Sequence, residues 1–191
     1  GKSTTASLIA HVLDAAGVPA EVVGNLGVPV TEFSFEKYAA AVVEVSSYQA
    51  AVLTVSPRIA VITCLYPEHL TWHGGFEQYA ADKLNLVAHQ PAVVISPDGD
   101  PELASRIENV IADGVRFIQP SDNGVVVDRQ GITWGSRHLA AEDIPLRGLH
   151  NLHNVALALT AVAATIDVSA ENQSRVLNAV KTFVPLAHRL E

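Results

Sequence analysis

Gly1-Lys2-Ser3-Thr4-Thr5-Ala6-Ser7-Leu8-Ile9-Ala10-His11-Val12-Leu13-Asp14-Ala15-Ala16-Gly17 opens the chain, and its reading decides the fold class. Leu8, Ile9, Val12 and Leu13 recur at the spacing of one helical face, and Gly17 stands where such a helix would end. A Gly-Lys-Ser-Thr run entering a helix is the second half of a phosphate-binding loop. Backbone amides at the helix start and the lysine ammonium hold phosphate oxygens, while the Ser or Thr hydroxyl holds Mg²⁺. The glycine-rich first half is missing from this sequence. Taken alone, the tetrapeptide therefore suits an ordinary capped helix equally well.

Working outward, short apolar runs alternate with helical patterns. Residues 41–45 (AVVEV) and 59–63 (IAVIT) read as buried central strands, 92–95 (AVVI) as a third and 115–118 (VRFI) as a fourth. Helices are expected around 76–89 and 101–112. This alternation predicts an α/β fold of the phosphate-loop type, a mostly parallel sheet flanked by helices. From Asn123 the texture changes. Residues 124–128 and 132–134, separated by Arg129-Gln130-Gly131, predict a small antiparallel hairpin. Two further helices are expected over 151–165 and 169–182, the second stopped by Pro185.

At 191 residues, 49% hydrophobic and 17% charged, the chain has the makings of one globular domain spanning 1–191. No apolar run approaches the roughly 20 residues that cross a bilayer. The longest, 155–164, is interrupted by Thr160 and reads as a buried helix. The net charge of −8 argues against a nucleic-acid partner, since phosphate backbones are held by clustered Lys and Arg. A nucleotide needs only a few local donors and a cation. The single cysteine, Cys64, excludes an internal disulfide and suits a reducing compartment, so a cytoplasmic address is expected. The sequence holds no Met, even at its start, and is expected to be a piece of a longer protein.

Other residues carry chemistry by type and place. Glu44 ends a very apolar strand, where a buried carboxylate is costly unless paired or metal-bound. Strand C-termini line the ligand crevice of a doubly wound sheet, so a cation ligand and a strand-end acid reaching solvent both remain open. Glu68, His69 and His73 follow the strand 59–63 and bring metal-ligand types to another strand end. Lys83, in YAADK on the next helix, reads by spacing alone as a solvated surface lysine.

These segments form a longer pattern. GKSTT, GNLGVP (24–29), EVSSYQ (44–49), PEHLTWHG (67–74), YAADK (79–83), GLHNLHN (148–154) and FVPLAHRLE (183–191) occur in that order. Together they resemble the central, ATP-binding domain of the Mur ligases, nearest the branch that adds glutamate to UDP-N-acetylmuramoyl-L-alanine. The resemblance spans the whole chain. It implies an ATP-dependent amide ligase working through an acyl phosphate, with D-glutamate as the first expectation and L-glutamate as the alternative. A uridine-binding N-terminal domain and an amino-acid-binding C-terminal domain would lie outside this chain.

Residue by residue, the resemblance implies that Gly1, Lys2, Ser3 and Thr4 grip the ATP phosphates and that Ser3 and Glu44 hold a first Mg²⁺. His69 would hold a second Mg²⁺, supported by Lys83 carbamylated with CO₂. Lys2, His69 and Lys83 would thus be the catalytic set. Asn25, Ser46 and Gln49 would lie on the UDP-sugar side, Asn151 by the adenine, and Arg189 by the ribose and phosphates. Cys64, Glu68 and Thr71 depart from the family's usual Asn, Asp and Asp. Another Mur enzyme, a folylpolyglutamate synthase and a phosphate-loop switch ATPase are the alternatives; the last leaves His69 and Lys83 without roles.

Overall fold

The computed structural model describes residues 1–185. In chain order it begins α1 (Lys2–Ala15), β1 (Ala20–Gly24), β2 (Ala40–Glu44), α2 (Ser47–Ala50), β3 (Ile59–Val61), α3 (Leu70–His73), α4 (Phe76–Leu84) and β4 (Val93–Ile95). There follow α5 (Pro101–Glu108), β5 (Arg116–Ile118), β6 (Val125–Val127), β7 (Gly131–Trp134), β8 (Arg137–Ala140), α6 (Leu149–Thr165) and α7 (Ala170–Lys181). They make two compact units. One joins Gly1–Glu44 to the residues from Pro120 onward, and the other is Val45–Gln119.

In the first unit α1 packs against β1, β2, α6 and α7. Its helical-face residues Leu8, Ile9, Val12 and Leu13 are all buried, as the spacing predicted. Gly17, at φ +89°, ends it in the left-handed conformation. β1 and β2 pair in parallel from Ala20↔Ala40 to Gly24↔Glu44. Among the described residues β2 has β1 as its only strand partner, and Val43 stays 42% exposed, so β2 is not the interior strand expected. Its alternation is that of a strand covered on one face, with Glu44 inside. β1 escaped the sequence reading because Ala-Glu-Val-Val-Gly offers only one fully buried residue, Val23.

The turn after β1 folds back on the strand, with Gly24 N donating to Val28 O and Val28 N donating to Val22 O. Gly27 sits at φ +79°, and a β-carbon there would lie 2.0 Å from the Val22 carbonyl oxygen. Gly27→Ala is therefore expected to cost about 2–3 kcal/mol, since both strain and a backbone clash oppose it. Urea unfolding would show it as a lower midpoint at unchanged slope. An unshifted midpoint would contradict this account of the turn.

From Val155 to Ala164 α6 is apolar apart from Thr160 and largely buried, with Val155, Ala158, Leu159 and Val162 at 0% exposure. The Thr160 hydroxyl that interrupts the run donates to Ala156 O at 2.8 Å. The expected hairpin is present and carries a third strand. β6–β7–β8 is an antiparallel meander whose inner residues include Val125, Ile132 and Leu139. β8 was illegible because Arg-His-Leu-Ala holds one apolar strand former.

The second unit contains the parallel sheet β3–β4–β5, in register Ile59↔Val93 and Val93↔Arg116. Ala60, Ile62 and Val94 pack with Leu84, Val87, Leu103 and Ile107 into its core. α5 starts on an Asp100 cap that accepts from Leu103 N at 3.0 Å, with Pro101 at the first helical position. Arg106 forks onto Glu77 at 2.8 and 3.0 Å and so ties α5 to α4. Parallel pairing thus falls into two sheets, one in each unit.

Candidate functional site

The first unit carries Gly1, Lys2, Ser3, Thr4, Asn25, Glu44 and Asn151. Gly1 is the N-cap of α1 and makes no side-chain cap, so the first-turn amides look outward from the helix start. Ser3 is 2% exposed, and its hydroxyl has no hydrogen-bond partner among the described residues. Two residues on, the Thr5 hydroxyl donates to Asn154 Oδ1 at 3.4 Å. Asn154 donates to Asn151 Oδ1 at 3.0 Å, and Asn151 donates to Arg147 O at 2.8 Å. Asn151 is thereby held in a buried amide chain that joins α6 to the start of α1.

At the ends of β1 and β2, Glu44 is 4% exposed. Asn25 donates its backbone N–H to Glu44 O at 2.9 Å and its side-chain amide to Oε1 at 2.8 Å. Oε2 is left with no partner among the described residues. Asn25, expected on the UDP-sugar side, is thus engaged in orienting this carboxylate and keeps its carbonyl oxygen as an acceptor. A buried carboxylate oxygen and a buried hydroxyl, both unpaired, are the hard oxygen donors that Mg²⁺ takes. Mg²⁺ carried by nucleotide phosphates needs only one or two protein oxygens, so the donor set fits the ion. Among the described residues no three His, Cys, Asp or Glu side chains converge.

The second unit carries Ser46, Gln49, His69 and Lys83. Ser46 and Gln49 form a reciprocal capping box: Gln49 N donates to Ser46 Oγ at 3.2 Å, and Ser46 N donates to Gln49 Oε1 at 2.9 Å. This leaves the Ser46 O–H and the Gln49 amide NH₂ as donors for a ligand. His69 is exposed, begins α3 with φ +53°, and lies against the Tyr48 ring at 5.1 Å. A left-handed non-glycine residue is uncommon, and this turn sets the direction in which the His69 side chain leaves the backbone.

His73 does not join His69 as an open ligand. Its ring is buried, with Nδ1 bonded to Asp82 Oδ2 at 2.6 Å and Nε2 to Ser47 Oγ at 3.1 Å. The His73 hydrogen bond holds the Asp82 carboxyl below the usual range. Lys83 is half-buried and donates to Tyr79 Oη at 3.0 Å, with its ammonium 5.3 Å from that ring's centre. Burial pushes the Lys83 amine down, opposed by nearby Cys64 and Glu68. It is not the solvated surface lysine that spacing alone suggested. Tyr79, Ser47 and Asp82 were missed as partners, although Tyr79 stands four residues before Lys83 on the same helical face. Arg189 lies outside the described residues.

The model of the Mur ligase middle domain matches residues 1–162. A Micromonospora protein named UDP-N-acetylmuramoyl-L-alanine–L-glutamate ligase is 43% identical over 196 residues, covering 100% of this chain and 42% of its own length. A Salinispora tropica protein of the same name is 41% identical, with the same coverage of both. This chain thus spans less than half the length of the curated relatives it matches. A crystal structure of MurF from Acinetobacter baumannii covers 100% of this chain and 46% of its own, with TM-score 0.71 and 22% identity, a likeness of fold. No helix among the described residues is long and apolar enough to cross a membrane.

Proposed function

The chain belongs to the Mur ligase family, and from that premise we propose that it is the ATP-using middle portion of a ligase joining glutamate to UDP-N-acetylmuramoyl-L-alanine in cell-wall precursor synthesis. Of the two isomers the resemblance allowed, L-glutamate is proposed, because the Micromonospora and Salinispora relatives are named for it. The observation that carries the reading is the pair of buried, unpaired oxygens, Ser3 Oγ and Glu44 Oε2, on the helix start and strand end where a magnesium nucleotide is handled.

The substrate carboxylate attacks the γ-phosphorus of ATP, and ADP leaves. The resulting acyl phosphate is attacked at carbon by the glutamate amine, which loses a proton as phosphate departs. Lys2 and the first-turn amides of α1 offset charge on the transferring phosphoryl group, so the protein's part is mainly positioning and electrostatics. Ser3 and Glu44 would hold one Mg²⁺, and His69 with carbamylated Lys83 a second; bound there, the ions neutralise phosphate charge. The Ser46 hydroxyl and Gln49 amide donate to the UDP-sugar, while the Asn151 amide chain steadies the adenine side, with Arg189 near the ribose. The uridine and the amino acid would be recognised mainly by domains outside this chain.

The test is a ligation assay on the full-length protein, offering L-glutamate, D-glutamate, diaminopimelate and lysine separately. Phosphate release is expected only with UDP-N-acetylmuramoyl-L-alanine and L-glutamate together. Release that ignores both substrates would mean a switch ATPase, and a preference for D-glutamate would reverse the isomer.

A further inference from the structure

We propose that His73 is a positioning residue of the ligation site, an inference that rests on the function proposed above. The side chain is fully buried on α3, and each ring nitrogen has a partner on a different helix. Nδ1 meets Asp82 Oδ2 on α4 at 2.6 Å, and Nε2 meets Ser47 Oγ on α2 at 3.1 Å. A carboxylate accepts only, so Nδ1 carries a proton and donates to Asp82; in the neutral imidazole Nε2 then accepts from the Ser47 hydroxyl. Asp82 is held from its other oxygen by Gln78 at 2.7 Å. The imidazole is thus a strut with defined donor and acceptor ends.

What the strut joins distinguishes it from an ordinary satisfied core histidine. Ser47 follows Ser46 and lies inside the capping box with Gln49. Asp82 precedes Lys83. His73 is one helical turn beyond His69. Tyr79, the hydrogen-bond partner of Lys83, meets the His73 ring edge-on at 5.2 Å, and Tyr48 stacks on it at 5.5 Å. α2 and α3 are four residues each, far too short to hold their own shape. The turn bearing Ser46 and Gln49 and the backbone bearing His69 therefore take their positions from this buried bond pair, as a ligand-bearing segment takes its aim from the groups behind it.

The test compares His73→Phe, which fills the space but breaks both bonds, with His73→Gln, whose amide still donates and accepts. Both are made in the full-length enzyme, with circular dichroism as the check on folding. Calorimetric affinity for UDP-N-acetylmuramoyl-L-alanine without ATP is expected to weaken about tenfold in His73→Phe and kcat to fall about a hundredfold, with most of both recovered in His73→Gln. A folded His73→Phe enzyme with wild-type affinity and kcat overturns the inference. So does a His73→Gln enzyme as impaired as His73→Phe, which would indicate packing alone. If His73→Phe does not fold, Ser47→Ala and Asp82→Ala each break one end of the strut, and wild-type affinity and kcat in both would overturn it equally. A wild-type enzyme that fails to ligate overturns the proposed function and this inference with it. A working wild type beside an unaffected His73→Phe overturns this inference alone.

Discussion

Lys2→Ala in the full-length enzyme is expected to lower kcat for ligation by about a thousandfold while leaving the melting temperature unchanged. Lys2 is the first residue of α1, part-exposed, and the buried face of that helix begins after it, so the helix keeps its packing without it. What is lost is a cation placed where outward-facing amides already gather negative charge. Phosphoryl transfer spreads charge over the equatorial oxygens, and the interaction grows as that charge moves, so the loss falls on kcat more than on nucleotide affinity. Lys2→Arg should recover only part of the rate, since a planar fork does not replace a compact ammonium. The measurement is initial-rate ADP release at saturating substrates. A variant within about tenfold of wild type would remove Lys2 from the phosphate site.

Lys83→Ala should be comparably inactive, with one distinguishing feature: partial recovery by formate or another short carboxylate. The half-buried amine has its pKa lowered by desolvation. Its neutral form is thus available at a lower pH than that of an exposed lysine, and only the neutral form adds CO₂. The nitrogen lone pair attacks the carbon, a proton leaves, and an ammonium that would repel Mg²⁺ becomes an oxygen-bearing anion that supports it. Removing the side chain leaves room beside Tyr79 for a small carboxylate to stand in. Lys83→Arg keeps the charge, cannot be carbamylated, and should be as inactive as the alanine variant. Rates measured across a formate series decide the matter. No recovery at any concentration would sink the carbamate assignment, and an active Lys83→Arg enzyme would do the same.

The elements with long periodic patterns were legible from residues alone. α1 and α6 announced themselves through repeating Leu, Ile and Val, and β3 to β5 through compact apolar runs. β1, β8, α2 and α3 were not legible, because each holds only one to three core residues and takes its shape from its neighbours. For the site, the cost of burying Glu44 correctly marked it as a residue needing a partner. Nothing in the spacing announced that Asn25 is that partner, for a bond across nineteen positions depends on strand pairing. Lys83 shows the opposite failure. A lone lysine on a polar helix reads as solvated; the spacing to Tyr79 was in the sequence, but only the fold supplies the burial that alters its chemistry. Cys64, where the family usually has Asn, turns out to lie in the electrostatic surroundings of Lys83.

The Thr5–Asn154 hydrogen bond spans 149 positions. The helix α1 is synthesised well before α6, one of the helices it packs on. Until α6 emerges, α1 has only β1 and β2 to pack on, and the side that meets α6 waits uncovered. The contiguous stretch 45–119 needs no such wait, since its sheet and core come from neighbouring segments. The start of α1 therefore gains its bond to Asn154 only once α6 has been made, whereas 45–119 can form its core as its own segments appear.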